Sequence, residues 1–109
     1  MSEVKEITDK LIKFRDERDW AQFHNSKDLA LAISVEAGEL LELFLWKHAD
    51  EVNQQKIKEE LADVLAFAFL LADKHQLNVK QIMMEKIEAN AKKYPIDKAK
   101  GTAKKYTEL

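Results

Sequence analysis

SVEAGELLELFLWK (residues 34–47) and, after a short polar stretch, EELADVLAFAFLLA (residues 59–72) place carboxylates inside segments that are otherwise apolar. A surface helix carries one apolar stripe, whereas these two segments are apolar around most of a helical circumference, so both read as helices covered on most sides. The pattern predicts a second helix from Lys27 to about His48 and a third from about Asn53 to Lys74. The polar stretch from Ala49 to Gln55 allows an antiparallel return between them.

Outward from this pair, Val4, Ile7, Leu11 and Phe14 recur at helical spacing behind Ser2, a good N-cap, and predict a first helix over residues 3 to about 18. Asp19 to Ser26 breaks that pattern yet keeps three rings, Trp20, Phe23 and His24. A fourth helix begins near Val79, carries Ile82, Met83, Ile87 and Ala91 on one face, and stops before Pro95. Lys86, Asn90 and Tyr94, at i, i+4 and i+8, form a polar line on that helix. Residues 96–109 are lysine-rich and read as a tail. The expected architecture is all-α, a four-helix bundle-like single domain over residues 1–109 with residues 95–109 as its tail. Two helices apolar all round exceed what one chain of this size can cover, so a homo-oligomer is expected, a dimer or a dimer of dimers.

Composition agrees with that class. Hydrophobic residues make up 46% and charged residues 35%, with two glycines and one proline among 109 residues, a helix-rich balance poor in turn formers. Without cysteine there is neither a disulfide framework nor a thiolate metal site. The N-terminal MSEVKEITDK lacks the apolar core of a signal peptide, and the uncharged run from Val64 to Ala72 is about half of the ~18 residues of a membrane span. A cytoplasmic protein with no membrane partner is the expectation. Residues 1–79 hold 10 basic and 16 acidic groups and residues 80–109 hold 8 and 4. A net charge of −2 gives no ground for nucleic-acid binding, while an acidic centre beside a basic C-terminal part suits metal plus anion.

Residues three apart on a helix are neighbours, so Glu36 with Glu39 and Glu60 with Asp63 can each converge on one point. Glu42 continues the first stripe and Glu59 flanks the second pair. An ionised carboxylate in apolar surroundings costs several kcal/mol unless a cation or hydrogen bonds compensate it, and four together make a hard oxygen site of the kind Mg²⁺ accepts, with Mn²⁺ able to substitute. The plain alternative is a solvated acidic face. A ferritin-like di-iron site needs Glu-x-x-His pairs, and none of His24, His48 and His75 follows a Glu by three. EF-hand and zinc spacings are absent as well. Trp20 and Trp46 could stack on a base, although rings at such places usually pack in a core or an interface.

Four segments, RDERDWAQFH (15–24), SVEAGELLELFLWK (34–47), EELADVLAFAFLLA (59–72) and KIEANAKKYP (86–95), together resemble the MazG-like all-α nucleoside triphosphate pyrophosphohydrolases, closest to the small dCTP pyrophosphatase type. The resemblance implies hydrolysis between the α- and β-phosphates, giving a nucleoside monophosphate and pyrophosphate, with dCTP or a related or modified deoxynucleotide as substrate. It implies Glu36, Glu39, Glu60 and Asp63 as the Mg²⁺ ligands and catalytic acids. Trp20, His24 and Trp46 match positions lining the nucleotide pocket, and Lys86, Asn90 and Tyr94 match residues near phosphates and sugar. Glu39 is the first choice for the base that activates water, with Glu36 and Glu42 as alternatives. dUTP, dATP and phosphoribosyl-ATP stay open as substrates, and a helical oligomerisation or adaptor module without catalysis is the competing class.

Overall fold

The computed structural model describes residues 2–109, which form five α-helices and three short 3₁₀ turns; among them there is no strand. The helices are α1 (Glu3–Glu17), α2 (Ser26–Glu42), α3 (Gln54–Lys74), α4 (Val79–Lys93) and α5 (Ile96–Ala99). They fall into two compact units, one running to Gln76 and one from Leu77 to Leu109. All four predicted helices are present. Two differences concern their ends: α2 stops at Glu42 rather than near His48, and the tail after Pro95 contains the one-turn α5. No described helix is long and apolar enough to cross a membrane.

Each long helix starts on a side chain that accepts from its first free N–H groups. Ser2 Oγ accepts from Lys5 N (3.1 Å), Asn25 Oδ1 from Asp28 N (2.8 Å), Asn53 Oδ1 from Gln55 N (2.8 Å) and Asn78 Oδ1 from Gln81 N (2.9 Å). A cap of this kind is worth about 1 kcal/mol. Asn25 also donates to Asp28 Oδ2 at 2.8 Å, closing a reciprocal cap where the ring-bearing segment enters α2.

In the first unit α2 packs along α3, and α1 lies against α3. A 2.8 Å hydrogen bond between Ser26 Oγ at the start of α2 and His75 Nε2 at the end of α3 shows that the two run antiparallel. The face of α1 turned inward carries Val4, Thr8, Leu11, Ile12 and Arg15, so Ile7 and Phe14, expected inside, sit at its margin about half exposed.

Very little of this chain is fully enclosed. Only Leu29 (2% exposed), Leu70 and Ala72 are buried among the described residues. Leu31, Val35, Leu41 and Leu45 form an exposed stripe along α2 and the turn after it, and Leu61 with Leu65 does the same on α3.

Candidate active site

Glu36 on α2 and Glu60 and Asp63 on α3 each offer a carboxylate oxygen, and the three lie within 4.8 Å of one another. Antiparallel pairing of α2 and α3 produces the meeting: one turn of each helix contributes, and i, i+3 spacing brings Glu60 and Asp63 to the same face. Glu39, one turn further along α2, stands outside the tightest group, but its charge bears on both Glu36 and Glu60. The two predicted pairs therefore face each other.

The surroundings make Glu36 and Glu60 reluctant to ionise. Loss of hydration on partial burial, reinforced by Glu39, Asp63 and Glu60, pushes the Glu36 carboxyl up to about 7. Loss of hydration likewise raises Glu60, with Glu39, Asp63 and Glu59 adding repulsion. Glu36 Oε2 and Glu60 Oε2 are both buried without a hydrogen-bond partner. Orphaned acceptors on like-charged groups are what a divalent cation relieves, and an all-oxygen donor set fits a hard ion such as Mg²⁺.

Beside the acids opens a cavity of about 420 Å³ lined by Glu36 and Asp63 and, from α1, the following segment and α3, by Leu11, Phe14, Arg15, Trp20, His24, Ala66, Phe67 and Leu70. Local backbone geometry builds one wall of it. Asp19 adopts φ +56°, its N–H donates to Asp16 O (3.0 Å), and the Trp20 N–H donates to Arg15 O (3.0 Å), a Schellman termination of α1. That termination folds Trp20 back so that its ring meets Phe14 edge-on at 5.8 Å, while the Arg18 guanidinium lies over the other ring at 3.7 Å. The His24 ring packs edge-on against Phe67 at 6.3 Å with Nδ1 buried and unpartnered. Burial, with the Arg15 charge adding, lowers the His24 pKa, so the ring is neutral at pH 7.

Of the residues expected at a nucleotide site, Trp20, His24, Glu36 and Asp63 line this cavity. Trp46 sits elsewhere, 94% exposed in the turn beyond α2, with φ +62° in the left-handed region that non-glycine residues seldom occupy. Lys86 and Asn90 lie exposed on α4 of the second unit; Tyr94, at the end of that helix, packs edge-on with Tyr106 at 6.0 Å. Sequence reasoning missed Arg15, Phe14 and Phe67. Arg15 had a signal, since it follows Leu11 by four residues and so puts a cation on the inward face of α1.

The MazG-like family profile matches residues 31–109. The chain is 39% identical over 83 residues to dCTP pyrophosphatase 1 of Mus musculus, covering 69% of this chain and 49% of that protein. To dCTP pyrophosphatase 1 of Homo sapiens it is 38% identical over 83 residues, with the same shares. The chain thus spans about half the length of the curated relatives it matches. A solved pyrophosphatase from Archaeoglobus fulgidus superposes with a TM-score of 0.81 at 37% identity, covering 87% of this chain and 94% of that one.

Proposed function

The chain belongs to the MazG-like family, and from that premise we propose that it hydrolyses the α–β phosphoanhydride of a nucleoside triphosphate, releasing the monophosphate and pyrophosphate. One observation carries this reading: three carboxylates gather within 4.8 Å, and two of them border a cavity that also presents Trp20 and His24. Hard oxygen donors beside an apolar, aromatic recess suit a metal-complexed polyphosphate attached to a flat base. The dCTP pyrophosphatase relatives make dCTP, or a related or modified deoxynucleotide, the first substrate to try, in a cytoplasmic role of clearing the nucleotide pool.

Glu36, Glu60 and Asp63 would hold a divalent cation, Mg²⁺ first, with Glu39 beside them. When bound, such an ion offsets negative charge on the α- and β-phosphate oxygens. Glu39, beside the tightest group, is the first choice to take a proton from water. The water oxygen bonds to the α-phosphorus, the bond to the bridging oxygen breaks, and pyrophosphate departs with that electron pair. Trp20 and His24 receive the base. The family resemblance of residues 86–95 assigns Lys86 to phosphate oxygens and Asn90 and Tyr94 to the sugar.

Trp46 supports the companion proposal of a homo-oligomer. A tryptophan held almost fully exposed in a costly backbone conformation, at the end of the α2 leucine stripe, is suited to burial by a second copy, where it can stack on a base. Light scattering at micromolar concentration is expected to give at least twice the 12.6 kDa chain mass; a monomer overturns the oligomer. For the activity itself, Mg²⁺-dependent release of pyrophosphate is measured over a panel of nucleoside triphosphates. Release of orthophosphate instead, or turnover indifferent to metal, sinks the proposed reaction.

A further inference from the structure

We propose that Arg15 determines base specificity: its guanidinium donates to a ring carbonyl of the bound base, so that the pocket takes carbonyl-bearing bases (cytosine, uracil, thymine, guanine) in preference to adenine. The inference rests on the nucleotide reading above and adds to it a residue and a selection rule.

Four polar side chains line the cavity, Glu36, Asp63, Arg15 and His24, two acidic and two able to donate. Glu36 and Asp63 belong to the carboxylate cluster, where the phosphates go. Arg15 and His24 lie outside that cluster but close enough that the Arg15 charge is felt by His24, whose ring packs on Phe67. The arginine is held in place by Asp16, whose Oδ1 accepts from Arg15 Nε at 2.9 Å and lies 2.9 Å from Nη2. Among the described residues its Nη1 makes no hydrogen bond, and the side chain is only 21% exposed although fully charged. A half-desolvated cation that lines an apolar recess and keeps an unpaired donor is a poor surface solubiliser and a good reader of an acceptor.

The two polar groups discriminate differently. His24 is neutral and offers a donor on one ring nitrogen and an acceptor on the other, so by choosing its tautomer it serves either kind of base edge. Arginine only donates. Cytosine, uracil, thymine and guanine each present a carbonyl oxygen to it, whereas adenine carries none. Adenine offers only ring nitrogens as acceptors, and in the pose that brings its amino group to the place of a carbonyl it would set donor against donor and leave the guanidinium unpaired.

Free nucleosides isolate this contact because they carry no phosphate and need no metal. Tryptophan fluorescence is titrated with deoxycytidine and with deoxyadenosine for the wild type, Arg15→Met and Arg15→Lys. The wild type is expected to bind deoxycytidine more tightly. Arg15→Met should weaken deoxycytidine binding by about 10- to 100-fold while leaving deoxyadenosine unchanged, and Arg15→Lys, which keeps the charge and loses the fork, should fall between. Equal loss for both nucleosides, no loss, or no binding of either to the wild type overturns the proposal. Should Arg15→Met fail to fold by circular dichroism, Arg15→Lys alone decides, by losing deoxycytidine selectively or not. Pyrophosphate release from dCTP by the wild type is scored separately, so failure of the hydrolase reading and failure of the Arg15 assignment give different results.

Discussion

Replacing Glu36 by Gln is expected to reduce the rate of pyrophosphate release by about 10²- to 10³-fold, the range seen when one preorganised group that stabilises developing charge is deleted. The amide keeps the shape of the acid and removes its charge from the point where Glu60 and Asp63 converge. Its effect on the metal-free chain runs the other way. Burial and three neighbouring carboxylates already hold Glu36 up to about 7, so at pH 7.5 its ionised form is a liability that the amide relieves. Glu36→Gln should therefore melt at a higher temperature than the wild type in chelator while turning over far more slowly in Mg²⁺. Opposite signs for stability and activity are the mark of a group kept for chemistry. A variant that loses both in parallel would show that Glu36 serves the packing of α2 on α3 instead.

The same cluster fixes a pH dependence whose sign can be stated in advance. Glu36 titrates near 7 in the folded chain against 4.5 as an ordinary glutamate, and Glu60 shifts in the same direction. Between those values the folded state binds more protons than the unfolded one, so stability declines as pH rises. The Glu36 contribution is full below about pH 4.5 and is lost as pH climbs through about 7, and that of Glu60 changes in the same direction. A divalent cation needs the ionised acids, so it stabilises most where the bare protein is weakest. In chelator the melting temperature should fall between pH 5 and pH 7.5. Adding Mg²⁺ should raise it clearly at pH 7.5 and hardly at pH 5. Stabilisation by Mg²⁺ of equal size at both pH values would place the bound ion on other groups.

The acid pairs were legible before the fold because their information is local: three-residue spacing on apolar helices leaves few arrangements open. Antiparallel pairing of α2 and α3 then follows from the short connection, and the Ser26–His75 hydrogen bond shows the result. The end of α2 was not legible. LFLWK continues the apolar pattern with no glycine, proline or asparagine to stop it, yet the helix ends at Glu42 and Trp46 turns left-handed, a conformation for which its sequence gives no cue. Arg15 was hidden for a different reason. Its significance depends on the Schellman turn that carries Trp20 and His24 round to the same recess, and a turn made by an aspartate at positive φ leaves only a faint trace in sequence.

That turn has a consequence for how such a protein diversifies. Three of the groups proposed to meet the base, Arg15, Trp20 and His24, come from ten consecutive residues running from the last turn of α1 into the segment after it, whereas the acids come from the middles of α2 and α3. Substitutions in this short cassette can retune which nucleotide is accepted while the hydrolytic apparatus stays untouched. On that reading, selectivity and reactivity sit largely on separate stretches of the chain, so the first can change without the second.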